Sequence, residues 1–184
     1  DSDCLIIGIE LGEDIKKIFD SLNISFINFW FHPYKLFDDM IFMMNTNNVD
    51  IFNILTKYKI SEEYFYFYAD YFNIYIENNL FNDDKILDNS VLFIGQTSVD
   101  VSVKKGNEFL NIISYKDYLE KLSKNYSKIY YCPHPLEKDI LEVNEYINST
   151  DYIELINDIP TYFLLTSNKI KKVISISSSV LYEA

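Results

Sequence analysis

Between Val91 and Ser177 short apolar runs alternate with amphipathic stretches at close intervals, and this alternation limits the chain more than any other feature. The segments "VLFIGQ" (91–96), "KIYYC" (128–132), "DYIEL" (151–155) and "KKVISIS" (171–177) read as strands. Those between them, "SYKDYLEKLSKNY" (114–126), "LEKDILEVNEYI" (136–147) and "IPTYFLLTS" (159–167), read as helices, the first capped by Ser114 with Tyr115, Tyr118, Leu119, Leu122 and Tyr126 on one side. Strands joined by helices of this length run parallel, and a parallel sheet must be covered on both faces. The expected fold is therefore α/β, a Rossmann-like parallel sheet with helices on both faces.

The first half opens in the same way. "CLIIGIE" (4–10) reads as a strand, "EDIKKIFDSL" (13–22) as a helix with Ile15, Ile18, Phe19 and Leu22 on one face, and "ISFINFWF" (24–31) as a second strand. From Phe37 to Tyr75 the spacing predicts two or three helices: Phe37, Met40, Ile41 and Met44, then Val49, Phe52 and Leu55, then a Tyr/Phe-rich stretch opened by Ser61. Met40, Met43, Met44 and the aromatics of 64–75 read as core or interface packing. The Asn- and Asp-rich stretch 77–90 is the expected linker, which divides the chain into 1–76, an N-terminal α/β part, and 91–184, a Rossmann-like domain that stops short of its own end.

Composition narrows the function classes. With 48% hydrophobic and 17% aromatic residues the chain is too apolar for disorder. Its net charge of −12, with lysine as the only cation type, argues against nucleic acid as a partner. An anionic ligand would have to be gripped locally, by helix ends and hydroxyls. Cys4 and Cys132 are far apart and read as two buried thiols in a reducing compartment, and no metal is expected, since the pair Asp83–Asp84 falls in the linker. No long apolar run or signal pattern is present, so the segment reads as cytosolic and as a piece of a longer protein, which could associate peripherally with the inner face of a membrane.

In an open parallel sheet, ligands bind beyond the carboxyl ends of the strands. His134 follows the strand 128–132 directly, and Pro135 suits the first position of the next helix. Ser177, Ser178 and Ser179 follow the strand 171–177, where hydroxyls and free N–H groups can bind a phosphate without arginine. Gln96 closes the strand 91–96 and joins the candidate nucleotide-binding residues. The residues alone thus imply a phosphate or nucleotide crevice and no particular reaction.

The stretch from "VLFIGQTSVD" through "YYCPHPLEKD" to "VISISSSVLYEA" resembles the nucleotide-binding half of bacterial sialyltransferases and polysialyltransferases, and of the related Kdo transferases. These families share an HP motif after one strand and a serine motif after a later one. The resemblance implies a GT-B glycosyltransferase that takes sialic acid or Kdo from a CMP-sugar to an oligosaccharide acceptor of a capsule or lipopolysaccharide, with no cofactor. It implies that 91–184 is the nucleotide-sugar-binding domain and 1–76 the acceptor side, that His134 contacts the phosphate and assists departure of CMP, and that Ser177, Ser178 and Ser179 hold the same phosphate. The family's D/E-D/E-G motif is absent; the acidic groups nearest to it in position are Glu10, Glu13–Asp14 and Asp38–Asp39. A second His-Pro, His32–Pro33 in "FWFHPYKLFDDM", is similar to the N-terminal region of retaining β-Kdo transferases, where a carboxylate is the nucleophile. Glu10, at a strand end, is better placed for that role than Asp38 or Asp39, read as a solvated helix start. Two alternatives stay open: a UDP-sugar-dependent GT-B enzyme or epimerase, and a non-catalytic Rossmann-like binding module.

Overall fold

The computed structural model describes residues 4–34, 37, 39–78, 83–138 and 140–184. Its contacts divide the chain into two compact units, Asp1–Tyr71 and Phe72–Ala184, a division that falls within a helix, ahead of the polar stretch 77–90.

The first unit is built on β1 (Leu5–Ile9), α1 (Glu13–Ser21), β2 (Ser25–Phe31), β3 (Phe42–Thr46), α2 (Val49–Thr56) and the start of α3 (Glu62–Asn78). β1 and β2 pair in parallel, as the βαβ pattern requires. β3 corrects the sequence reading. The Phe37, Met40, Ile41, Met44 spacing predicts a helix, but the run Phe42–Met44 pairs antiparallel with β2, Met43 opposite Trp30. A short apolar run fits either periodicity, and β2 offers a row of backbone partners that only a strand can meet. The strand ends where two asparagines take over. Asn47 accepts from the Phe26 N–H at 3.0 Å and donates to Asp20 and to the Ile24 carbonyl. Asn48 then caps α2, accepting from the Asp50 and Ile51 N–H groups.

Aromatic packing occupies the rest of the unit. Tyr34 is buried and donates its hydroxyl to the Phe65 carbonyl at 3.0 Å, while Phe37 stacks on Tyr64 at 5.2 Å. Phe65 and Tyr68 close around Phe37, as the packing reading expects. Met40, Met44, Tyr66, Phe67, Tyr71 and Tyr75 instead remain exposed in this chain. Cys4 is exposed as well, against expectation, and Cys132 is buried.

The second unit carries β4 (Ser90–Ile94), the short hairpin β5 (Lys104–Lys105) and β6 (Glu108–Phe109), α4 (Lys116–Ser123), β7 (Ile129–Cys132), α5 (Leu141–Asn148), β8 (Ile153–Leu155), α6 (Thr161–Leu165) and β9 (Ile170–Ser175). The sheet order is β8-β7-β4-β9, and all three pairings are parallel. Counted along the chain this is third, second, first, fourth, the order of a doubly wound sheet whose direction of winding reverses between β4 and β9. β4 and β7 are buried along their whole length because alternate side chains enter two different cores. Val91, Phe93, Ile129, Tyr131 and Ile153 pack with Leu119 and Leu122 of α4 and Val143 and Ile147 of α5. Leu92, Ile94, Tyr130 and Cys132 pack with Ile86, Ile156 and Leu164 of α6. Helices on both faces of a parallel sheet agree with the α/β reading.

Two helix starts differ from it. Before α4, residues Ile112–Tyr115 form a 3₁₀ turn capped by Asn111, and Ser114 serves as the reciprocal partner in that capping box rather than as the cap. α5 begins at Leu141, so Pro135 lies in an exposed turn and not at the first position of a helix.

Candidate functional site

Three loops leave the carboxyl ends of adjacent strands of the second unit: residues 95–103 after β4, 133–138 after β7 and 176–178 after β9. β7 and β9 flank β4, which sets their ends roughly 10 Å apart, a gap that side chains from both can reach across to one small ligand.

His134 is half-buried in the loop after β7. Its Nδ1 accepts from the Leu136 N–H at 3.1 Å, so a neutral imidazole carries its proton on Nε2. The Glu137 N–H closes the turn on the His134 carbonyl at 2.9 Å. On the other side of β4, the Ser177 and Ser102 hydroxyls lie 2.8 Å apart. One hydroxyl of such a pair donates to the other, and either can be the donor. The Ser178 N–H donates to the Ser175 hydroxyl at 3.0 Å, and the Ser178 hydroxyl accepts from the Val180 N–H at 3.3 Å at the start of a 3₁₀ turn, Ser179–Tyr182. Of the three serines it is therefore Ser177 whose hydroxyl faces a residue of another loop.

The middle loop connects the outer two. Gln96 folds its side-chain oxygen back onto the Thr97 N–H at 3.1 Å. Ser98 donates both its N–H and its hydroxyl to Glu137, at 2.5 and 3.2 Å. Asp100 accepts from the Ser102 N–H at 2.8 Å. The Ser102 backbone and side-chain hydrogen bonds hold the Asp100 carboxyl below the usual carboxylate range, and the charge of His134 adds to them. Gly95 starts this loop where a Cβ would come within 2.7 Å of the Tyr131 hydroxyl, so the site allows no side chain. Burial pushes the Tyr131 phenol up to about 12.

Sequence reasoning selected His134, Pro135, Gln96 and Ser177–Ser179, and the fold gathers these on one edge of one sheet. It missed Ser98, Asp100, Ser102 and Glu137. The remaining candidates lie in the first unit. Glu10 follows β1, exposed, with a left-handed backbone (φ 49°) and its N–H on the Phe29 carbonyl at 3.0 Å. His32 repeats the turn of His134, Nδ1 accepting from the Tyr34 N–H at 3.0 Å, and packs on the Phe65 ring at 5.3 Å. Asp39 is exposed in an irregular stretch ahead of β3, not at the start of a helix, and Asp38 lies outside the described residues. Among the described residues no group of three or more His, Cys, Asp or Glu could hold a metal ion, and no helix is long and apolar enough to cross a membrane.

A parallel α/β unit with hydroxyls and an imidazole at its carboxyl edge fits the class of proteins that bind phosphorylated ligands there. The family model of the alpha-2,8-polysialyltransferases matches residues 24–184, and the chain belongs to that family, a family of glycosyltransferases. No curated protein and no solved structure matches the chain.

Proposed function

We propose that the chain transfers sialic acid from CMP-sialic acid to hydroxyl 8 of a sialic acid residue ending a surface polysaccharide, in a GT-B type enzyme whose donor chemistry belongs to the second unit and acceptor chemistry to the first. The observation that carries the reading is the gathering of His134 and Ser177 on the two loops that flank the loop after β4, at the carboxyl edge of one sheet, in a member of the alpha-2,8-polysialyltransferase family. That family favours sialic acid over Kdo as the sugar.

In the transfer, the bond between the anomeric carbon and the phosphate oxygen breaks and its electron pair stays on the phosphate. The acceptor oxygen takes the anomeric carbon and gives up its proton to a base. The Nε2–H of His134 donates to the departing oxygen, and the Ser177 hydroxyl, turned from Ser102 to the ligand, donates to a second phosphate oxygen. Ser179 contributes the N–H group of its turn, and Ser178 shapes that turn through its bonds to Ser175 and Val180. Glu10 is the carboxylate we assign to the acceptor proton, since it is exposed at a strand end on a backbone held in an uncommon conformation.

Titration with CMP tests this. CMP is expected to bind with a Kd of about 1 mM or tighter, some 4 kcal/mol at least. UMP should compete weakly, and CMP-sialic acid should be turned over in preference to CMP-Kdo. His134→Ala is expected to abolish transfer or weaken CMP binding about tenfold, the cost of one phosphate-directed hydrogen bond. Wild-type transfer by His134→Ala, or UMP binding as tightly as CMP, would contradict the proposal.

A further inference from the structure

We infer that Glu137 is a positioning residue of the donor site, whose carboxylate ties the loop carrying His134 to the loop after β4 and so fixes the orientation of the imidazole. The inference rests on the donor-site reading above.

The described residues of the loop after β7 lie in no helix or strand, and α5 starts only at Leu141. Hydrogen bonds hold the loop. The Glu137 N–H binds the His134 carbonyl at 2.9 Å, and the Leu136 N–H stops the ring from flipping by binding Nδ1 at 3.1 Å. These bonds shape the turn but fasten it to nothing else. The Glu137 side chain supplies the anchor. Oε2 accepts from the Ser98 N–H at 2.5 Å, and Oε1 accepts from the Ser98 hydroxyl at 3.2 Å and from the Lys138 N–H at 3.0 Å. Two of these three donors come from 39 residues away, in a partly buried setting where charge-assisted bonds are strong.

The grip extends further. The loop held at Ser98 also carries Asp100, which accepts from the Ser102 N–H, and Ser102, whose hydroxyl meets Ser177. Glu137 therefore sets the spacing between the imidazole and the serine hydroxyls as well as the angle of the ring. A glutamine at this position must turn its amide NH₂ toward the Ser98 N–H at Oε2 or toward the donors at Oε1, so it keeps the shape and weakens the grip.

The test uses the full chain in two measurements. The sequence contains two histidines, so ¹⁵N-labelled histidine gives one set of signals for His134 and one for His32. In the wild type both neutral rings should show the Nε2-protonated tautomer. In Glu137→Gln, His134 is expected to shift to a mixture of tautomers while His32, held by its own turn on Tyr34, stays unchanged. Transfer kcat should fall at least about tenfold, as misplacement by a fraction of an ångström does. The donor KM should change by less than about threefold, since binding before the chemical step is largely kept. Ser98→Ala removes one bond from the opposite side and should move both readouts the same way by less; it carries the test where Glu137→Gln does not fold.

A His134 spectrum identical to the wild type, or an unchanged kcat, in the folded variant overturns the inference. His134→Ala separates the two levels. If that variant is inactive while Glu137→Gln and Ser98→Ala behave as the wild type, only the role of Glu137 falls. If His134→Ala transfers normally, the donor-site reading itself fails.

Discussion

Asp83 accepts a hydrogen bond from the Ser167 hydroxyl at 2.6 Å and lies 3.1 Å from the Lys169 ammonium, joining the segment ahead of β4 to the turn between α6 and β9. The Ser167 bond, with Lys169 adding to it, holds the Asp83 carboxyl below the usual carboxylate range. A depressed carboxyl stabilises the fold fully above its unfolded value of about 3.9, and that contribution disappears as the pH falls through the lower folded value. Asp83→Asn is therefore expected to cost about 1 kcal/mol near pH 6, a modest figure because both side chains are partly exposed. Thermal melts from pH 7 down to pH 2 should show the two proteins converging at the acid end; a constant gap would exclude the ionised pair as its cause. At this scale the sequence reveals some residues and hides others. His134 and the serines could be found because each follows a strand at a recognisable spacing. Ser98, Asp100, Ser102 and Glu137 could not, because a polar loop residue carries no periodic signal and its meaning comes from partners 39 or 75 residues away.

Elements were legible where their period is long or their flanks are marked. β4, β7, β8 and β9 appear in the sequence as apolar runs between helices, and the parallel sheet follows from that alternation. β3 did not, since a run as short as Phe42–Thr46 satisfies a helical or an extended pattern equally and the decision belongs to β2. The start of α5 was misplaced for a related reason: His134–Pro135 looks like a helix entry, whereas hydrogen bonds from Leu136 and Glu137 close the chain into a turn first. The junction of β4 with its loop yields the prediction at this scale. Tyr131 is 4% exposed and cannot swing aside, so the methyl group of Gly95→Ala must strain either the ring or the strand end. A loss of about 1–3 kcal/mol is expected, read by urea unfolding of the variant against the wild type. CMP affinity should fall with it, because the displaced loop bears Ser98, Asp100 and Ser102. A variant as stable as the wild type would show that the strand end yields without strain.

For the whole molecule the governing fact is charge. A chain of net −12 repels an anionic donor at long range, so binding must come from close, directed groups. The second unit provides them by topology: a parallel sheet points all its strand ends the same way, and the doubly wound order puts β7, β4 and β9 side by side. The chain belongs with the alpha-2,8-polysialyltransferases, and the proposed donor site is drawn from the three loops. A crystal structure of the protein with CMP bound tests the account most directly. The account predicts the phosphate within hydrogen-bonding distance of His134 Nε2 and of the Ser177 hydroxyl, over the end of β4. A cytidine phosphate seated anywhere else, with both of those groups untouched, would contradict it.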